Sequence, residues 1–373
     1  MFIRSRTRYG LECVPVAICL LCIQYLEKTF YPEHSTSASA TMTTLALIVF
    51  AALLNYLALF TNELGRLLGG LLTGYKFSSL SLGSAVLVKQ RGKLRLCRMK
   101  LKRSTCIMVP PPMENGRFPY KLYYLGGGLL NLFLAAVVSC LAVYFYKSPI
   151  ALCAAVEVAF VFFWSALLNL VPLRTENDVN YGFCAATVGK TEESLYRCHA
   201  KLNRLTAEAS GTRMRDMPES WLHMPREYEL RMPDGIEEAF QLHCKRMDEH
   251  RFTEALEIAD RIFAQNTEGP FPLQGDLLDD CVYICLMEGK SAASYKTAAW
   301  ELFRSREGES PSALRTEYTI ALLYQKDPEA ARKIRLQFER VALRYPALAD
   351  VETERELMDL AETEYKKQTR KEP

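Results

Sequence analysis

Glu63 and Arg66 stand three residues apart in Thr61-Asn62-Glu63-Leu64-Gly65-Arg66, directly after an uncharged run from Ser35 to Asn62. On a helix that spacing brings carboxylate and guanidinium onto one face. The apolar run places the pair near membrane depth, where an ionised group costs about 2.5 to 3.5 kcal/mol unless it is paired or hydrated. In H-E-x-x-H, two histidines at i and i+4 bind zinc and the intervening glutamate serves as general base for the metal-bound water. Here the two histidine positions hold Asn62 and Arg66, and Glu63 remains. An amide is a poor zinc ligand, and a guanidinium has no lone pair to donate. Arg66 is therefore expected to take the electrostatic place of a metal beside Glu63. The competing reading is that Arg66 snorkels to the membrane interface.

Three further segments share the order of this one. Leu67-Leu68-Gly69-Gly70-Leu71-Leu72-Thr73-Gly74-Tyr75-Lys76-Phe77 continues the first, and Gly126-Gly127-Gly128-Leu129-Leu130-Asn131 follows downstream. Asn169-Leu170-Val171-Pro172 then precedes Asn177-Asp178. Taken together, residues 40–185 resemble the site-2 proteases, intramembrane zinc metallopeptidases. The resemblance implies that Asn62, Arg66 and Asp178 occupy the ligand-equivalent positions, and Glu63 that of the general base. It also implies that Asn131 and Asn169 help bind an extended substrate. Zinc is the family's cofactor; with both histidines replaced, none is expected here. The chain reads as a catalytically inactive relative, a pseudoprotease. An active zinc metallopeptidase with atypical ligands is the alternative, and a transporter or lipid-handling protein a second one, with no inverted repeat to favour it.

The elements that must position these residues follow from composition. Long charge-free runs occupy the first half of the 373 residues and Glu, Lys, Arg and Asp crowd the second, so two domains are expected. Residues 1–183 read as a membrane domain, with helices near 11–27, 43–73, 122–146 and 149–172; the last three are long enough to span ~30 Å of hydrocarbon, and the first is short and contains Gln24. The first of these reads as an uncleaved helix rather than a signal peptide. Residues 77–109 alternate apolar with polar and read as a β-hairpin loop at the cytoplasmic face. Between Gly74 and Lys121 the loop holds many Lys and Arg against the single acid Glu114, which sets the orientation: both termini cytoplasmic, in the plasma membrane. Glu157 lies within the last apolar run as a further intramembrane acid without an assigned role.

Residues 184–235 read as a helix and a proline-containing linker, and 236–373 as paired helices at a period of roughly 35 to 40 residues, akin to tetratricopeptide-like repeats. The fold class expected is thus an all-α polytopic membrane protein of about four transmembrane helices, with a small hairpin and a C-terminal helical domain. The partners expected are membrane lipids, a transmembrane or peptide client, and a cytoplasmic protein held by the repeats. Nucleic acid is not expected, because the net charge is only +3 and the basic residues flank membrane runs. The 12 cysteines lie mostly in apolar or helical sequence and read as buried thiols, the pair Cys19 and Cys22 included.

Overall fold

A computed structural model describes residues 37–90, 92–98, 104–145, 149–175, 179–267, 269, 271–289, 310–345 and 347–371, together with positions 14, 17 and 18. The expected helix near 11–27 lies almost wholly outside the described residues, as do Asn177, Asp178 and residues 290–309. The chain divides into two compact units, Met1–Gly83 with Leu101–Leu202, and Ser84–Lys100 with Asn203–Pro373.

In the first unit three helices form a bundle: α1 (Ser37–Leu72), α2 (Lys121–Ala142) and α3 (Pro149–Leu170). Leu54 and Ala58 of α1 meet Ala135 of α2 and Val161 and Phe162 of α3 in its centre. Glycines let α1 and α2 approach closely: a Cβ on Gly65 would lie 2.4 Å from the Gly126 carbonyl oxygen, and one on Gly69 would lie 2.5 Å from that of Leu122. Backbone contact of this kind is what small residues permit between apolar helices. Two further helices follow, the short α4 (Tyr181–Thr187) and the longer α5 (Glu192–Ser210), whose residues from Asn203 on belong to the second unit.

The expectation of about four spans is corrected here. Among the described residues one helix, Lys121–Ala142, is long and apolar enough to cross a membrane. The uncharged run from Ser35 does not stop at a span's length but continues as one helix of 36 residues, through the charged pair, to Leu72.

The all-α expectation with a lone hairpin is corrected as well. Between α1 and α2 lies a four-stranded antiparallel sheet in the order β3-β2-β1-β4. Its strands are β1 (Lys76–Leu82), β2 (Ala85–Gln90), β3 (Lys93–Arg98) and β4 (Thr105–Val109). β1 pairs with β4 from Lys76↔Val109 to Ser81↔Thr105, with an irregularity between Phe77 and Ser79. Alternation within 77–109 marks each strand but leaves their number open, since every strand presents the same two-residue period. Gly83 and Gly92 turn the chain at φ +57° and +81°, where glycine carries no steric cost.

The second unit is built of helices α6 (Pro233–Asp248), α7 (Phe252–Gln265), α8 (Gln274–Met287), α9 (Pro311–Thr319), α10 (Pro328–Ala342) and α11 (Leu348–Lys371), with a π-turn at Ile320–Tyr324 extending α9. Neighbouring helices pack in pairs, α6 on α7 and α9 on α10, with α11 lying along α9. Their starts are chemically marked. Ser310 and Asp327 accept bonds from the N–H groups of Ala313 and Ala330, each with a proline next in sequence. Tyr283, Leu314, Phe338, Leu357 and Met358 form the fully buried centre.

Candidate functional site

The C-terminal half of α1 carries the chemistry. Asn62, Glu63 and Arg66 are 3%, 3% and 4% exposed, so all three are inside the protein and Arg66 does not snorkel. The Arg66 Nη1 donates to Glu63 Oε2 at 3.0 Å, which is the i, i+3 contact expected from the sequence. Its other terminal nitrogen, Nη2, donates to the Tyr123 hydroxyl at 2.7 Å. That hydroxyl in turn donates to the Cys106 carbonyl at 2.7 Å, linking α1 through α2 to strand β4.

Aromatic rings close the remaining sides of the cation. The Arg66 Cζ lies 3.8 Å from the Tyr181 ring centroid and 4.7 Å from that of Tyr123. Tyr75 stacks on Tyr123 with centroids 4.8 Å apart. Desolvated contacts of this kind stabilise a guanidinium by about 0.5 to 2 kcal/mol each. The second Glu63 oxygen, Oε1, accepts from Asn62 Nδ2 at 3.3 Å and from the Tyr181 hydroxyl at 3.4 Å. Both carboxylate oxygens are thus engaged inside the chain. Asn62 Oδ1 and Arg66 Nε are buried without a hydrogen-bond partner.

Tyr181 owes its place to Asn180. The Asn180 Oδ1 accepts from the Phe183 N–H at 2.9 Å as the N-cap of α4, and from the Leu173 N–H at 3.0 Å. Its Nδ2 donates to the carbonyls of Leu168 and Val171 at 2.7 and 2.6 Å. One amide therefore ties the end of α3 to the start of α4 and delivers the ring onto the guanidinium. Gly182 allows this approach, because a Cβ there would lie 2.4 Å from the Leu170 carbonyl oxygen.

Asn131 is completely buried between the three helices. Its Oδ1 accepts from the Thr61 hydroxyl at 2.5 Å, while Nδ2 donates to the Ala58 carbonyl and the Ser165 hydroxyl at 3.0 Å each. The amide is fully engaged as a tie across the bundle. Asn169 Nδ2 donates to the Ser165 carbonyl at 2.8 Å, one turn back along its own helix. Asp178, the remaining ligand-equivalent position, lies outside the described residues, so the structure brings together Asn62, Glu63 and Arg66 but does not speak to the third member. Glu157 Oε1 is buried with no hydrogen-bond partner.

Zinc does not fit these residues. Glu63 is committed to a cation, Arg66 offers only donors, and the Asn62 amide is a weak ligand. The Cys106 thiol is pushed up to about 11 by burial, against the pull of the Arg66 charge, and so stays protonated at neutral pH. The arrangement holds a buried ion pair. Tyr123, Tyr181, Asn180 and Cys106 escape sequence reasoning because they come from other elements and sit in no recognisable spacing. The one usable signal is Asn180 ahead of a short apolar helix, an N-cap pattern.

No family model, no curated protein and no solved structure matches the chain.

Proposed function

We propose that this chain is a membrane-bound, non-catalytic protein of the site-2 protease type. In this reading the Arg66–Glu63 pair stands where a metal and its activated water would be. The protein acts by holding a membrane or juxtamembrane segment of a client, and its second unit offers a helical surface to a protein partner. The carrying observation is the caged cation: Arg66 is bonded to Glu63 and Tyr123 and faced by two tyrosine rings. A positive charge so held repels a second cation, and both Glu63 carboxylate oxygens already accept hydrogen bonds within the chain. Membrane attachment is supported by apolar side chains facing outward on all three helices of the bundle, among them Leu53, Phe133, Leu141 and Phe163 at 62%, 63%, 49% and 46% exposure. Exposed apolar side chains on every helix of a bundle are what a membrane or a partner would cover.

Metal analysis of the purified chain tests the reading. The unaltered protein is expected to hold no stoichiometric zinc and to leave a bilayer-resident peptide uncut. One tightly held equivalent of zinc, or cleavage abolished by a chelator, would overturn it. The double variant Asn62→His/Arg66→His tests the family likeness separately. Gain of zinc supports the positional match with Asp178; a folded variant that gains none counts against it.

A further inference from the structure

Helix α10 of the second unit has two unlike sides. Ala331, Phe338 and Ala342 are buried, and Ile334 and Val341 pack against the same core. On the opposite side Arg332, Lys333, Leu336, Arg340, Leu343 and Arg344 are all exposed. At 3.6 residues per turn these six fall within an arc of about 120°. Leu336 and Leu343 are 57% and 75% exposed, so large apolar surface lies in the middle of a basic face.

The flank of α10 beside α11 has its charges matched. Arg335 Nη2 lies 2.6 Å from Asp359 Oδ1, and Glu339 Oε2 lies 2.7 Å from Arg355 Nη2. The outer cations are not matched in this way. Among the described residues, Arg332, Lys333, Arg340 and Arg344 take part in no ion pair. Arg340 and Arg344 stand four apart with like charge, a spacing that destabilises a helix left to itself. Glu329, the acid nearest this face, sits in the first turn, where the helix dipole already favours it.

We infer that this face of α10 binds an acidic amphipathic helix of a protein partner. Its carboxylates meet Arg332, Lys333, Arg340 and Arg344, and its apolar side chains meet Leu336 and Leu343. The inference rests on the reading of the second unit as a partner surface; it states where that surface lies and what it recognises. Two leucines one heptad apart match the interval at which a facing helix presents apolar side chains. A bilayer is a poorer occupant. A helix lying in the interface buries its whole apolar side, and that side of α10 is already spent on the core. A polyanion such as RNA would meet the cations and leave both leucines in water.

The probe is a fluorescein-labelled helical peptide of Ala, Glu and Leu, its leucines spaced as on α10. It is titrated with the full chain in neutral phosphatidylcholine nanodiscs and read by anisotropy. Binding is expected to weaken about tenfold when Arg332, Lys333, Arg340 and Arg344 are changed together to Gln, because each exposed pair contributes modestly. Leu336→Ser with Leu343→Ser should weaken it severalfold, as should Ser in place of the peptide's own leucines. Since all the altered side chains are exposed, thermal unfolding of both variants should match the parent. A peptide that fails to bind overturns the inference. Binding indifferent to both variants puts the partner surface elsewhere; it overturns the inference and leaves the proposed function standing, which fails on zinc or cleavage instead. Binding that needs the cations but not the leucines marks a general polyanion surface. Quenching of a Leu336→Trp reporter by brominated, phosphatidylserine-containing discs marks a lipid surface. Either result also overturns it.

Discussion

A buried charge has few acceptable surroundings, and Arg66 has one that uses two of its nitrogens and two tyrosine rings. Removing one partner of such a pair leaves the other uncompensated, which costs about 3 to 5 kcal/mol. Arg66→Ala is accordingly expected to lower the unfolding midpoint and folded yield in detergent. Arg66→Ala with Glu63→Gln should recover a good part of the loss, because no lone charge remains. Arg66→Lys should fall between, since an ammonium keeps the charge but not the planar stacking. Equal losses in the single and double variants would show that Arg66 is held by packing alone. Half of this site was legible at the residue scale: i, i+3 spacing on a helix is local geometry, and it foretold the Glu63 contact. The tyrosines were not, because nothing near residue 66 in the chain refers to residues 123 or 181.

At the scale of the element, the site depends on how closely α1 and α2 approach. Gly65 and Gly126 put backbone against backbone, which sets Tyr123 at hydrogen-bonding distance from Arg66. Gly65→Ala is expected to cost about 1 to 3 kcal/mol or more through overpacking, seen as loss of the folded form in thermal scans. Gly269→Ala, where no atom lies within 4 Å of the added Cβ, should be close to neutral and serves as the control. Helix existence in the second unit was readable from apolar period and from starts such as Ser310-Pro311 and Asp327-Pro328. Strand number in 77–109 was not, because pairing partners are chosen by register and burial rather than by any strand's own pattern.

Across the whole molecule, the two units present different electrostatic problems. The first neutralises one buried cation with one carboxylate. In the second, Arg315 is fully buried beside Tyr283 and faces more than one acid, Asp280 and, at 3.0 Å, Glu354. Burial works against the Asp280 charge, yet Arg315 and His243 hold its carboxyl below the usual range. Glu354 fares differently: burial, aided by Asp280 and opposed by Arg315, pushes it up to about 7. The folded state then binds a proton that the unfolded chain releases near 4.5, so this group's contribution is present at low pH and declines as pH rises from about 4.5 to 7. Glu354→Gln should flatten that decline in unfolding midpoints measured across the window. An unchanged slope would place the titration elsewhere.

The Glu63–Arg66 contact and the unsuitability of Asn62 and Arg66 as zinc ligands follow from the chain alone, since each rests on residue chemistry or on neighbours a few positions apart. Tertiary structure decided the rest. It placed Tyr181 over the guanidinium by way of the Asn180 amide. It closed Asn131 into the bundle with Thr61 and Ser165. It built a four-stranded sheet where alternation alone marked a hairpin. The division has a physical cause: local spacing determines which side chains share a face, whereas only packing determines what that face meets.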